Sequence, residues 1–300
     1  MSDRVQVSHP EKVLFPDDGI TKGELVGYYR AVAPRMLPLI SGRPVTMQRF
    51  PDGIGIGRGG FLQKQIGRHF PDWIERVTAP NRRTRQATAR DEVTYVVCRH
   101  ADDLAYLANQ GCLTPHVWLS RAPDIHRPDQ MVFDLDPASD DLGVLRAAAG
   151  ALRELLEELG MASFLKSSGS RGLHVAVPLV PAADTDTVKL FSIAVAEALA
   201  ARHPDDFTTE GRIANRHGRL YLDIGRNGYA QTMAAPYAVR ALPGAPVSMP
   251  LDWSELDGWV PGRHTLRSVA ERLAAPDPWA GMDAAAGRLD QAGARLAELR

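Results

Sequence analysis

Residues 131–136 read Met-Val-Phe-Asp-Leu-Asp and place two carboxylates, Asp134 and Asp136, one residue apart in an apolar run. A β-strand alternates its faces with period 2, so both acids point one way while Phe133 and Leu135 point the other. Two carboxylates projecting together repel unless a cation lies between them, and an all-oxygen site suits Mg²⁺ or Mn²⁺. The plain alternative is a pair of solvated acids ahead of the turn at Pro137. A third acid, Asp223, interrupts the apolar segment Tyr-Leu-Asp-Ile at 221–224. Alone it reads as an ion-paired residue at a strand end. If its strand neighbours the first, three carboxylates converge, enough to hold two divalent ions for phosphoryl transfer.

The segment Ser-Gly-Ser-Arg-Gly-Leu-His at 168–174 offers groups that suit a phosphate. Gly169 and Gly172 permit a tight turn whose amides face an anion. Ser168 and Ser170 add hydroxyls, Arg171 a forked donor, and His174 an imidazole. An ordinary hairpin turn is the competing reading. His116 stands beside Val117 and Trp118, where a structural histidine is the default. Lys12, Lys22, Arg226 and Arg240 are each a solvated cation when taken alone. The glycine-rich run Ile-Gly-Ile-Gly-Arg-Gly-Gly at 54–60 imitates a phosphate loop but lacks the following Lys-Ser/Thr, so it reads as a flexible or hairpin loop.

The elements that must position these residues follow from periodicity. The spacing predicts a helix over 22–40 with Thr21 as N-cap, a strand over 93–98 and a helix over 101–110. Beyond them come a strand at 131–136 and a helix at 141–160 closed by Gly160. Residues 164–179 read as strand, glycine turn, strand. A helix at 187–203, a strand at 219–225 and a final charged helix from about 283 complete the chain. This mixture predicts an α+β fold with a mostly antiparallel central sheet flanked by helices. Residues 1–130 form a smaller basic lobe fused to residues 131–300, which carry the catalytic sheet, and the whole of 1–300 reads as one functional domain.

Composition narrows the classes. The 300 residues are 44% hydrophobic and 24% charged, ordinary for a folded globular chain. Two cysteines, Cys98 and Cys112, exclude a disulfide scaffold and a Cys-rich zinc module. No apolar run is long enough for a membrane span, and the N-terminus lacks a signal core, so a cytoplasmic place is expected. The net charge of −1 hides an asymmetry: residues 1–128 hold 18 Lys and Arg against 13 Asp and Glu, and the remainder 17 against 23. A basic first part suits a polyanion and an acidic second part suits metal ions. A mixed solvated surface is the alternative.

Taken in order, EKVLFP, TKGELVGYY, FLQKQ, LANQGCLTPHVWLS, MVFDLDP, SSGSRGLHVAVPL, YLDIGRN, APYAVRALPGAPVSMPLDWSEL and HTLRSVAERL resemble the polymerase domain of bacterial DNA ligase D. That domain is a branch of the archaeo-eukaryotic primase superfamily. The resemblance covers nearly the whole chain. It implies a primase-like core and template-dependent addition of nucleotides, ribonucleotides preferred, to DNA 3′ ends at gaps and breaks. Its metal ligands fall on Asp134, Asp136 and Asp223, with two Mn²⁺ or Mg²⁺ ions and NTP or dNTP substrates. Nucleotide-binding residues fall on His116, Ser168, Arg171, His174, Arg226 and Arg240. Lys12 and Lys22 fall on the lysines that grip the 5′-phosphate of a downstream strand. Arg171 stands where many relatives carry Lys. Leu62 stands where they often carry a second Phe, which leaves template stacking to Phe61. Gln48-Arg49 replaces a more basic pair.

The family's link to non-homologous end joining implies DNA, Ku and a separate ATP-dependent ligase as partners, at the bacterial nucleoid. No KxDG adenylation motif is present, so the chain reads as a stand-alone polymerase or an excised domain. Gap filling in excision repair, a non-catalytic DNA-end binder that recruits a ligase, and a metal-dependent phosphoesterase are the competing functions.

Overall fold

The structure, a computed structural model, describes residues 4–55, 57, 59–81, 91–137 and 141–299. Arg82, Arg83, Arg85 and Arg90 of the basic first part, and Ile56 and Arg58 of the glycine-rich run, lie outside the described residues. In chain order the elements are β1 (Val13–Phe15), β2 (Ile20–Thr21), α1 (Lys22–Ile40), β3 (Pro44–Arg49), β4 (Phe61–Gln63), β5 (Glu75–Pro80), β6 (Glu92–Val97), α2 (Ala101–Asn109), β7 (Cys112–Val117), β8 (Gln130–Asp136), α3 (Leu142–Glu158), β9 (Phe164–Ser167), β10 (Leu173–Pro178), α4 (Thr185–Arg202), β11 (Phe207–Thr208), β12 (Leu220–Asp223), β13 (Met233–Ala234), β14 (Pro250–Leu251), α5 (Val269–Ala274) and α6 (Leu289–Glu298). No helix among the described residues is long and apolar enough to cross a membrane.

The chain divides into two compact units. The first takes the residues up to Pro123 together with Thr232–Met249 and Gly262–Asp277; the second takes Asp124–Gln231, Pro250–Pro261 and the residues from Pro278 onward. The sequence places a single division near residue 130, whereas by contacts the chain returns twice to the first unit. The first of these returns has local causes. β13 adds to the edge of β7, pairing Met233 with Val117. The Tyr29 hydroxyl on α1 donates to the Leu113 carbonyl at 2.6 Å and accepts from the Val239 amide at 3.1 Å.

Each unit has its own six-stranded sheet. In the first unit the order is β13-β7-β3-β6-β5, with β4 also on β3, antiparallel throughout. α1 begins at a capping box in which Thr21 and Glu24 satisfy each other's backbone amides; it packs on α2 and buries Leu25, Tyr29, Val32 and Met36. In the second unit the order is β11-β12-β8-β10-β9-β14, antiparallel except for β11 on β12. β8 and β10 lie at its centre, with Phe133, Leu135 and Val175 fully buried and α3 and α4 packed against the sheet.

Two helix boundaries differ from the sequence reading. α4 starts at Thr185, earlier than expected, because Asp184 caps it: Oδ1 accepts from the Thr187 amide at 2.9 Å and hydroxyl at 2.8 Å. α6 starts at Leu289 rather than near 283. Before it, Gly287 runs extended along the end of β10: its amide donates to the Pro178 carbonyl and its carbonyl accepts from the Val180 amide. A single 3-10 turn at Asp283–Ala285 precedes that pairing, which keeps the α-helix from starting until the chain has passed it.

Candidate active site

β8 and β12 pair antiparallel with Asp223 opposite Asp134 and Tyr221 opposite Asp136. The three carboxylates therefore share one end of the second unit's sheet, and one oxygen from each lies within 4.8 Å of the others. Asp223 is set by its own turn, since Oδ1 accepts from the Gly225 amide at 2.7 Å. Register extends the pattern: His174 on β10 lies opposite Asp134, and Lys166 on β9 lies opposite His174. One cross-strand row thus reads Asp223, Asp134, His174, Lys166.

The row explains the electrostatics. Asp134 is 8% exposed, and burial by itself would raise its pKa. His174, whose Nε2 is 3.2 Å from Asp134 Oδ1, outweighs that together with Arg226 and Lys166, and holds the carboxyl at about 2. Arg226 Nε lies 3.8 Å from the other oxygen, Oδ2. Asp136 behaves oppositely at the exposed strand end. Partial enclosure, then the charges of Asp134 and Asp223, push it up to about 6 despite Arg216 and Arg226.

A raised carboxyl binds its proton more tightly in the folded chain. Its contribution to stability therefore falls as pH rises from about 4, its ordinary value, to about 6. A divalent cation must displace that proton. Mn²⁺ affinity is therefore expected to weaken about tenfold per pH unit below 6 and to level above it, measured by calorimetric titration at pH 5, 6 and 7. A flat profile across that range contradicts the assignment of Asp136 as a ligand.

The turn between β9 and β10 is built around Ser168. Its Oγ accepts from the Ser170 amide at 3.1 Å and the Gly172 amide at 3.2 Å, and its own amide donates to the Gly172 carbonyl at 2.9 Å. Gly169 has φ +71°. Gly172 is fixed by a neighbour instead: a Cβ there would lie 2.6 Å from the Leu135 carbonyl oxygen, between the two acids of β8. Gly172→Ala is expected to destabilise the protein by about 1–3 kcal/mol, read as a lower melting temperature. An unchanged melting temperature would show that β8 yields there. Arg171 stands exposed on the turn, while Ser168 and His174 are buried.

The remaining sequence-predicted residues belong to the first unit. His116 lies between Thr46 on β3 and Ala234 on β13, with Nε2 3.4 Å from Gln48 Oε1. Arg240 follows the segment held by Tyr28 and Tyr29, and its amide donates to the Pro246 carbonyl at 2.7 Å. Lys12 and Lys22 flank the β1–β2 hairpin, the Lys22 amide donating to the Lys12 carbonyl at 2.8 Å. Lys12 Nζ pairs with Asp52 at 3.2 Å, and Lys22 Nζ donates to the Ser8 carbonyl and, at 3.2 Å, to its hydroxyl. Phe61 and Leu62 are both exposed on β4. The Arg49 guanidinium stands 5.6 Å from the Phe61 ring centre while donating to Gln63 Oε1 and the Gln110 carbonyl.

Sequence reasoning missed two cations that bear on the carboxylates. Lys166 is fully buried, yet it acts on Asp134. Its signal was available, because it lies two residues before Ser168 with strand spacing. Arg216 stacks 4.1 Å over the Tyr221 ring and acts on Asp136, and nothing in its local sequence marks it.

Residues 21–279 match the family described as LigD, primase-polymerase domain. The multifunctional non-homologous end joining protein LigD of Mycolicibacterium smegmatis is 32% identical over 257 residues, which cover 85% of this chain and 32% of that protein. The bifunctional non-homologous end joining protein LigD of Bacillus subtilis is 31% identical over 273 residues, 90% of this chain and 42% of that protein. The chain spans about a third to two fifths of the length of these relatives. The solved polymerase domain from Mycobacterium tuberculosis ligase D in complex with DNA matches with a TM-score of 0.85 at 31% identity, covering 95% of this chain and 100% of that one. A match that runs through most of this chain and the whole of a solved relative makes the chain a member of the LigD primase-polymerase domain family, a family of nucleotidyltransferases.

Proposed function

We propose that the chain adds nucleotides, ribonucleotides in preference, to DNA 3′ ends opposite a template at gaps and breaks, in repair by non-homologous end joining. The observation that carries this is the convergence of Asp134, Asp136 and Asp223 beside the Ser168–His174 turn, in a chain of this family. The donor set fits hard divalent ions, because all three groups are carboxylates with no sulfur or imidazole among them. The three acids would hold two Mn²⁺ or Mg²⁺ ions, which when bound neutralise charge on the attacking and leaving oxygens of phosphoryl transfer.

The chain's own residues do the rest. Arg171 and Arg226 offer forked donors to a triphosphate, Arg171 from the exposed turn built on Ser168. His174 orients Asp134 from one side while Arg226 approaches it from the other. His116 and Arg240 are assigned to the nucleotide, and Phe61 to the template, by the family's motifs. Ku and a separate ATP-dependent DNA ligase are the partners, at the bacterial nucleoid, that the family resemblance implies; end joining is the role the relatives' names carry.

Primer extension with Mn²⁺ and each NTP or dNTP tests the reading. A recessed 3′ end is expected to lengthen, faster with ribonucleotides at equal concentration. Absence of extension with every nucleotide overturns the polymerase reading, and shortening of the primer would indicate a phosphoesterase. Faster use of dNTPs removes the sugar preference alone.

A further inference from the structure

We propose that Asn227 is a positioning residue for the nucleotide site, acting through Arg226. The inference rests on the reading of Arg226 as a triphosphate ligand. It starts from an interruption in the sheet. β12 stops at Asp223, and the chain turns away through a single 3-10 turn at Gly225–Asn227. β8 does not stop there. Residues two apart on a strand direct their amide and carbonyl toward the same neighbour, so Val132 faces the same side as Asp134. Asp134 pairs with Asp223, and an unbroken antiparallel ladder would bring residue 225 opposite Val132.

Asn227 takes that place with its side chain. Its Oδ1 accepts from the Val132 amide at 2.8 Å, and its Nδ2 donates to the Val132 carbonyl at 2.7 Å. Nδ2 also donates to the Ile224 carbonyl at 3.1 Å. The carboxamide therefore mimics a peptide unit and closes the ladder, and the residue is 1% exposed. Gly225 and Arg226 are looped out of the sheet between two anchored points, Asp223 and Asn227. That loop brings Arg226 Nε to 3.8 Å from Asp134 Oδ2. The site needs a donor and an acceptor on one short side chain. Aspartate cannot donate, and serine is too short to meet both groups of Val132.

The test is steady-state primer extension by Asn227→Ser and Asn227→Asp, each also placed in an Arg226→Ala background. Folding is checked by circular dichroism and gapped-DNA affinity by anisotropy. Asn227→Ser is expected to raise nucleotide KM at least about fivefold with kcat within about twofold and DNA affinity unchanged. In the Arg226→Ala background the same change is expected to add less than about twofold to KM. A folded Asn227 variant with wild-type KM overturns the proposal, and so does full additivity with Arg226→Ala. Loss of folding in both variants also overturns it, by giving Asn227 a role throughout the fold. A wild-type KM in Arg226→Ala alone identifies a different failure, that of Arg226 as a nucleotide ligand, and removes the route with it.

Discussion

Primer extension by Asp223→Ala is expected to fall at least about 100-fold, and by Asp134→Asn as much, since each removes a carboxylate from the group that would hold the ions. The two positions differ in what else they support. Asp223 lies at a strand end, partly exposed, and its loss relieves like-charge repulsion on Asp136. Asp223→Ala should therefore lower the melting temperature only slightly, the cost being the hydrogen bond that Oδ1 accepts from the Gly225 amide. Asp134 is buried between His174, Arg226 and the row leading to Lys166. Truncation to alanine would leave the buried His174 imidazole and the Arg226 guanidinium facing a gap, and the melting temperature should fall. Asparagine keeps the shape, which makes it the better probe. Calorimetry and extension on the same preparations separate the two effects. Extension above about one tenth of wild type by folded Asp223→Ala would remove these acids from the reaction.

Gapped DNA with a 5′-phosphate is expected to bind at least about tenfold tighter than the same DNA with a 5′-hydroxyl, a difference of roughly 1.4 kcal/mol. The hairpin of β1 and β2 brings Lys12 and Lys22 side by side. Burial, and then the neighbouring charge of Lys12, lower the pKa of Lys22. Two cations held this close gain from a terminal phosphate, which carries nearly two charges, more than from an internal phosphodiester with one. A charge-assisted contact contributes about 1.5–3 kcal/mol, so one lost contact accounts for the decade. Lys12→Ala/Lys22→Ala should erase the difference and leave extension on an open primer–template nearly unchanged. Equal binding of the two gaps by the wild-type protein at one salt concentration would sink the idea.

Local chemistry was legible in the sequence wherever the signal was itself local. The alternation around Asp134 and Asp136 placed both acids on one face, and the glycines around Ser170 placed a turn between two strands. Thr21 announced the start of α1 as an N-cap ahead of helical spacing. Asp223 was legible only as a conditional, because its worth depends on which strand it pairs with, and register is not written in either strand alone. The same reason hid Arg216 and Asn227, which act on Asp136 and Val132, each on a strand far away in sequence. Lys166 carried strand spacing from Ser168, but its bearing on Asp134 also waits on register. The division of the chain was partly hidden too. β13 is a two-residue strand, too short to show periodicity, and the edge of β7 decides where it goes.

That edge has a consequence for how the protein is made. Val117 leaves the ribosome long before Met233, its partner across the sheet. At a synthesis rate of about 5–20 residues per second, the first unit waits on the order of ten seconds for its last strand. The Tyr29 hydroxyl waits nearly twice as long for the amide of Val239. During that interval the whole of β8, β10 and β12 can emerge and pair. The carboxylate row can therefore pair while the first unit still lacks β13, and neither unit closes until its later segments, Gly262–Asp277 for the first and Pro278 onward for the second, have followed.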